Sequence, residues 1–464
     1  MRQKLPLVPR LRFTVHLEGA VRHKSISGGK TMAEIRPFAG LRYNQSAVKD
    51  ISKFICPPYD VISTALHADL HSRSPYNFIR LEDAKTSPGD SPFNNKYTRT
   101  RATLADWLDK KIMVPEQAPA VYLDEHYFSL NGKAGMRRGI IARVRLEEWE
   151  KGIIRPHEKI FAAAKEDRQN LLKTLKVNTS PVLMMYQDPD RVIADTLAAE
   201  TQKEPVIDVT IPEGDRHKVW AISNKAVVNR IAYALSKQPF YVADGHHRYT
   251  SALMYSREQM AADSRITPDD AVNFVMTTLV DFADPGLIIL APHRVIRGLT
   301  KEVLADLRDK LSAYFTITEM PADDWQKLDA AMNQPGGIRL GFFGPGKDKF
   351  YALKLRDEKA LAQIMPNSSD IYRNLDVAVL DHLILNKILG LAIDGSTEPR
   401  VSFSHDREES VRDVLNGEQE AVFFLKPIKP ELIKAVSDAK EIMPRKSTYF
   451  YPKAPAGLVV NTLF

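Results

Sequence analysis

Asp244-Gly245-His246-His247-Arg248 puts a carboxylate, two imidazoles and a guanidinium within five consecutive positions. The preceding Phe240-Tyr241-Val242-Ala243 has the apolar, aromatic character of a buried strand. The following residues, through Met254, have that of a helix start. A helix beginning here would offer free N–H groups and the positive end of its dipole to an anion. Arg248 adds a planar fork of donors suited to phosphate or carboxylate. The competing, purely structural use has Asp244 capping the helix and Gly245 supplying the turn. A structural metal site fits worse, because adjacent histidines rarely converge on one ion and no Cys pair completes a tetrahedron.

Pro156-His157-Glu158 is the second chemically suggestive piece. Pro156 forces an extended backbone, so His157 and Glu158 are expected on a loop ahead of a helix spanning Phe161 to about Lys176, which also carries Asp167 and Arg168. Glu158 has the chemistry of a general base toward a hydroxyl; a solvated surface glutamate is the alternative. Pro292-His293-Arg294 places another His-Arg pair at a strand end. In the C-terminal stretch Met443–Lys453, Lys446, Ser447, Thr448 and Lys453 could touch a phosphate, although capping the core is the competing role.

The elements that must position these groups read as α+β. The Asn131-Gly132 pair marks a turn between strands at 120–123 and 139–144, and residues 74–81 read as a turn and strand. Further strands are expected at 182–186, 274–280 and 287–290, and a helix at Lys301–Tyr314. The boundaries expected are a basic extension, 1–31, an N-terminal α+β unit, 32–150, a core with insertion, 151–299, and a C-terminal α+β unit, 300–464.

Composition narrows the functions. The net charge of +7 is concentrated in residues 1–31, where seven Lys or Arg face one Glu. This segment reads as a disordered tail or the product of an upstream start codon. The remaining chain is near neutral, which argues against nucleic acid as a partner. One cysteine, Cys56, excludes an intrachain disulfide and fits a reducing compartment. No apolar run approaches the roughly 18 residues of a membrane span. A cytoplasmic protein without a membrane partner is expected.

Taken together, Arg36-Pro37-Phe38, Pro57-Pro58-Tyr59-Asp60-Val61, Ser74-Pro75-Tyr76-Asn77, Pro156-His157-Glu158, Asp167-Arg168, the Asp244–Tyr249 segment, His293-Arg294 and Pro444–Phe450 resemble domain-of-unknown-function family 1015. The segment from Pro156 to about Leu253 is similar to the ParB/sulfiredoxin fold. That likeness implies an α+β fold with a ParB/sulfiredoxin-like core and flanking N- and C-terminal α+β units. The phosphate signature of that fold falls at Gly245-His246-His247-Arg248. The sulfiredoxin cysteine would fall at His246, so a thiol mechanism has no nucleophile. The free serine kinases of the same fold carry Asp-Gly-His-His-Arg, preceded by a Pro-His-Glu whose glutamate is the catalytic base. Both motifs occur here, but Glu158 and Asp244 stand 86 positions apart, which requires a folded insertion between them.

The resemblance implies a Mg²⁺-dependent kinase for the hydroxyl of a small metabolite, with ATP or ADP as donor and free L-serine as the suggested acceptor. Glu158, Asp244 and His246 would be catalytic, and Asp244 would also hold the metal. Gly245, His246, His247 and Arg248 would bind the nucleotide's phosphates. His157, Arg168, Arg294 and Lys446 would bind the acceptor. The alternative is a nucleotide-binding regulatory or DNA-associated ParB-like module without phosphoryl transfer.

Overall fold

The computed structural model describes residues 33–158, 162–344, 346–391 and 398–463, with backbone alone for Ala162–Lys165. The basic segment 1–31 lies outside the described residues.

The architecture is mixed α+β, as the sequence leads one to expect. Among the described residues nine strands form the larger sheet: β1 (Ile35–Arg36), β2 (Val121–Leu130), β3 (Lys133–Arg145), β4 (Ile154–Arg155), β5 (Val182–Tyr186), β6 (Ile207–Thr210), β7 (Arg216–Ile222), β8 (Phe240–Asp244) and β9 (Phe274–Asp281). Their order is β4-β8-β5-β9-β3-β2-β7-β6, with β1 also paired to β3. The sheet therefore continues across the boundary expected at residue 150. Most neighbours are antiparallel, but β4 runs parallel to β8 and β5 parallel to β9. Asn131 and Gly132, both at positive φ, make the tight β2–β3 turn.

A second, six-stranded antiparallel sheet comprises β10 (His293–Ile296), β11 (Phe315–Pro321), β12 (Arg339–Phe343), β13 (Lys349–Leu355), β14 (Val401–Ser404) and β15 (Ala421–Phe424), in the order β11-β13-β12-β15-β10-β14. Its apolar residues join Leu183, Met185 and Tyr241 of the larger sheet in one buried cluster. The C-terminal stretch then crosses to the first sheet's surroundings: residues 449–451 pair with 288–290, and 461–462 pair with 177–178.

Four helices bear on the candidate site: α1 (Lys96–Asp109), α2 (Ala162–Leu175), α3 (Lys225–Leu235) and α4 (His246–Ala262). The apolar stripe of α3, Val228, Ile231 and Leu235, is buried in the same core as Phe240 and Val242 of β8. One local expectation is corrected. Residues 79–82 form a helical turn rather than a strand, because the side chain of Asn77 accepts the N–H of Ile79 at 2.9 Å and starts the turn.

Candidate functional site

The last residues of β8 and the first of α4 make the turn expected at Asp244-Gly245. Register shifts between Val242 and Asp244, an irregularity of the bulge type at the end of β8. Gly245 has φ +90°, a conformation that favours glycine, and a Cβ there would stand 3.0 Å from Nε of Arg248. The chain thus enters α4 with the guanidinium of Arg248 folded over the turn.

Asp244 does not cap the helix. Its Oδ2 accepts from Nη2 of Arg248 at 2.8 Å, and its Oδ1 lies 3.1 Å from Nζ of Lys453. Burial opposes ionisation of this carboxyl, but Lys453 and Arg248 outweigh it and hold it below the usual carboxylate range. Arg248 also donates from Nη1 to Oγ of Ser180 (3.2 Å) and to the carbonyl of Pro181 (2.5 Å). Ser180 donates on to Oε1 of the fully buried Glu82 at 2.9 Å.

Parallel pairing of β4 with β8 brings Pro156-His157-Glu158 beside this turn, so the two motifs meet although 86 positions separate Glu158 from Asp244. The backbone N–H of His157 donates to Nε2 of His246 at 3.3 Å, and Nδ1 of His246 faces Oε2 of Glu158 at 3.9 Å. Burial, then the neighbouring His157, pushes the His246 imidazole well below its ordinary value. The other oxygen of Glu158, Oε1, accepts the N–H of Lys446 at 3.3 Å. His157 is itself buried and committed on both nitrogens: Nδ1–H donates to the carbonyl of Val242 (2.8 Å), and Nε2 meets Oγ1 of Thr448 (3.0 Å). It ties β8 to the C-terminal stretch and has no nitrogen left for an acceptor. His247 is half-buried, and burial lowers its pKa, with Glu158 opposing.

Arg168 and Arg294 are likewise sequestered. Arg168 of α2 donates from Nε to Oδ2 of Asp167 (2.8 Å) and from Nη1 to the carbonyl of Glu82 (2.9 Å), with its guanidinium 4.0 Å from the Tyr59 ring centre. It lines, with Ser180, Arg248 and Ser251, a cavity of about 40 Å³. Arg294 of β10 is fully buried against Asp381 (Nε–Oδ1, 3.1 Å) and against the carbonyls of Pro292, Arg445 and Lys446. It braces the 445–446 loop from behind. Lys446, at φ +53°, is exposed beside Glu158.

The donor set does not fit a protein-held magnesium at Asp244, because both of its oxygens face cationic groups. Among the described residues no group of three or more His, Cys, Asp or Glu is arranged to hold a metal ion.

Sequence alone offers Lys453 a phosphate contact but not the carboxylate partners it has here, and gives Tyr59, Asp60, Glu82 and Ser180 no role. Lys453, from the far end of the chain, ion-pairs with Asp244 and lies 3.6 Å from Oδ2 of Asp60. Tyr59 and Asp60 belong to the Pro57–Val61 segment, whose stiff Pro-Pro backbone was a usable signal. Glu82 and Ser180 gave none, since a glutamate beside an aspartate and a serine before proline are common.

Fold and site together define an α+β protein with a polar, charged strand-to-helix turn. Residues 35–378 match the family model described as Protein of unknown function (DUF1015), and the chain belongs to that family. A search among curated proteins finds no match. Solved structures similar to it include a conserved hypothetical protein from Pyrococcus furiosus (15% identity, TM-score 0.33, covering 67% of this chain and 94% of that one). A free serine kinase in complex with AMP is similar at 14% identity and TM-score 0.34, covering 67% of this chain and 90% of that chain. A C-terminally truncated SbnI from Staphylococcus aureus is similar at 11% identity and TM-score 0.34, covering 69% and 87%. No helix among the described residues is long and apolar enough to cross a membrane.

Proposed function

We propose that the protein is a small-molecule kinase that transfers a phosphoryl group from ATP or ADP to a hydroxyl, with free L-serine as the first acceptor to test. The observation that carries this reading is the 3.9 Å approach of Glu158 to His246 at the α4 N-terminus. It puts a partly exposed carboxylate, suited to take a hydroxyl proton, beside N–H donors suited to phosphate. The Pro-His-Glu and Asp-Gly-His-His-Arg motif pair supports the same reading.

Phosphoryl transfer asks a protein chiefly for positioning and charge stabilisation. In this scheme Glu158 accepts the proton of the attacking hydroxyl. Neutral His246, with its Nδ1–H toward Glu158, orients that carboxylate. The first N–H groups of α4 and the charges of Arg248 and Lys453 meet the donor's phosphates. Lys446, exposed beside Glu158, is the candidate for an acceptor carboxylate. Magnesium would arrive on the nucleotide, and no step is assigned to an ion held by the protein.

The test incubates the full chain with ATP or ADP, Mg²⁺ and a pool of hydroxylated metabolites including L-serine, with mass spectrometry of the products. A phosphorylated product, reduced about 100-fold or more in Glu158→Gln, is expected. Nucleotide binding without any product would favour the regulatory module instead. A product made equally well by Glu158→Gln would remove Glu158 from the mechanism.

A further inference from the structure

Lys453 lies outside the family-matched residues 35–378, yet its ammonium is set among the candidate site's charges. It stands 3.1 Å from Oδ1 of Asp244 and 3.6 Å from Oδ2 of Asp60, with its side chain only 12% exposed. The Tyr449 ring faces the ammonium at 4.8 Å. Its backbone is pinned on both sides. Buried Arg137 donates to the carbonyl of Pro452 at 2.5 Å. Beyond it, Ala456 and Cys56 exchange backbone hydrogen bonds of 2.8 and 3.2 Å, which carry the Lys453 segment alongside the Pro-Pro turn bearing Asp60. A lysine held this way is a fixed charge.

The position it fills has the donor chemistry of a divalent-cation site. Magnesium in phosphoryl-transfer sites is bound by one or two carboxylates, at about 2.0–2.1 Å, and keeps several waters. Asp60 and Asp244 are two such carboxylates, and the ammonium lies between them. Oδ2 of Asp244 is committed to Arg248 at 2.8 Å, so a metal would have to take the oxygen that Lys453 holds.

We propose that Lys453 is a built-in counter-cation, occupying the place between Asp60 and Asp244 that a carboxylate-held divalent ion would need. The protein then binds no metal of its own at this site, and Lys453, with Arg248 and the α4 N-terminus, supplies the positive charge that meets a bound phosphate. The phosphate half of this inference rests on the kinase reading; the metal half does not.

Manganese alone tests the metal half, by loss of the free-ion electron paramagnetic resonance signal when the full chain is titrated without nucleotide. Wild type and Lys453→Arg should leave Mn²⁺ free up to about 1 mM. Lys453→Met keeps the stem and removes the charge. It should gain one Mn²⁺ per chain, at least about tenfold tighter than wild type, and Asp60→Asn added to it should abolish that gain. A wild-type Mn²⁺ site that Asp244→Asn removes would overturn the proposal even if Lys453→Met failed to fold. So would a folded Lys453→Met, checked by circular dichroism, that gains no site.

Calorimetry with ADP tests the phosphate half. Wild-type affinity in EDTA should stay within about fivefold of that in Mg²⁺, whereas Lys453→Met should lose at least about tenfold in EDTA and recover in Mg²⁺. Equal affinities of the two proteins in EDTA would overturn this half. Absence of both ADP and ATP binding to wild type would overturn it together with the kinase reading, while the manganese result would still decide the metal half.

Discussion

The backbone N–H of His157 donates to Nε2 of His246, and that bond fixes where His246 carries its proton. With Nε2 an acceptor, a neutral ring bears its hydrogen on Nδ1, the nitrogen facing Glu158 at 3.9 Å. Burial and the adjacent His157 keep the ring neutral well below its ordinary titration range. Long-range ¹⁵N–¹H spectra should therefore show His246 as the Nδ1–H tautomer at pH 7 and still at about pH 5.5. An Nε2–H tautomer, or titration near 6.5, would break the proposed alignment of Glu158.

Buried neutral histidines also set an acid limit on stability. His293 is 7% exposed, and its pKa is lowered to about 4 by burial and then by Arg407 and Arg294. As pH falls below about 6.5 the unfolded chain takes up a proton that the folded chain resists, so native stability declines between about 6.5 and 4. The loss from this residue reaches about 3 kcal/mol near pH 4. Urea unfolding at pH 7 and about 4.5 should show a drop that is smaller by about 2 kcal/mol in His293→Gln. An unchanged drop would mean that His293 is not held neutral in the fold.

Local features were legible in the sequence because their causes are local. Asn131-Gly132 can adopt two successive positive φ angles and so announces its hairpin. Ser63 caps the helix beginning at Thr64 by accepting the Leu66 N–H at 3.2 Å, as its type suggests. Asp244-Gly245 marked the strand-to-helix turn. The pairing of Ile154–Arg155 with Phe240–Tyr241 was not legible, since a folded insertion lies between them and nothing in either strand names its partner. The partners of Lys453 were not legible for the same reason: its polar character suggests a phosphate contact, but Asp60 and Asp244 meet it only in space. Arg294 was misleading in the opposite sense. A strand-end arginine suggests a ligand, but Asp381, 87 positions away, claims it. The helical turn at 79–82 was hidden because it depends on the Asn77 side chain rather than on apolar spacing.

Arg294 and Lys446 should separate stability from binding. Arg294→Met leaves Asp381 buried without its partner and should cost about 3–5 kcal/mol in urea unfolding. Because Lys446 is exposed, Lys446→Ala should leave stability within about 0.5 kcal/mol of wild type. If it binds an acceptor carboxylate, it should raise the acceptor KM about tenfold with kcat unchanged. A stability loss in Lys446→Ala like that of Arg294→Met would make both residues braces of the same loop.

Gly245 offers the sharpest separation of backbone strain from site geometry, because a control glycine exists in another turn between elements of the same fold. Gly245 and Gly132 both have positive φ, +90° and +74°. A Cβ at Gly132 meets nothing within 4 Å, whereas one at Gly245 stands 3.0–3.2 Å from the Arg248 guanidinium. Alanine at either position should cost about 1 kcal/mol or somewhat more in urea unfolding, from the strained backbone alone. Only Gly245→Ala should push Arg248 away from Asp244, Ser180 and Pro181, and with it the phosphate-facing charge. Under the kinase reading, ADP affinity should fall at least about tenfold in Gly245→Ala and stay within about twofold of wild type in Gly132→Ala. Equal affinities in the two variants would mean that Arg248 serves the fold of the turn and not the phosphate.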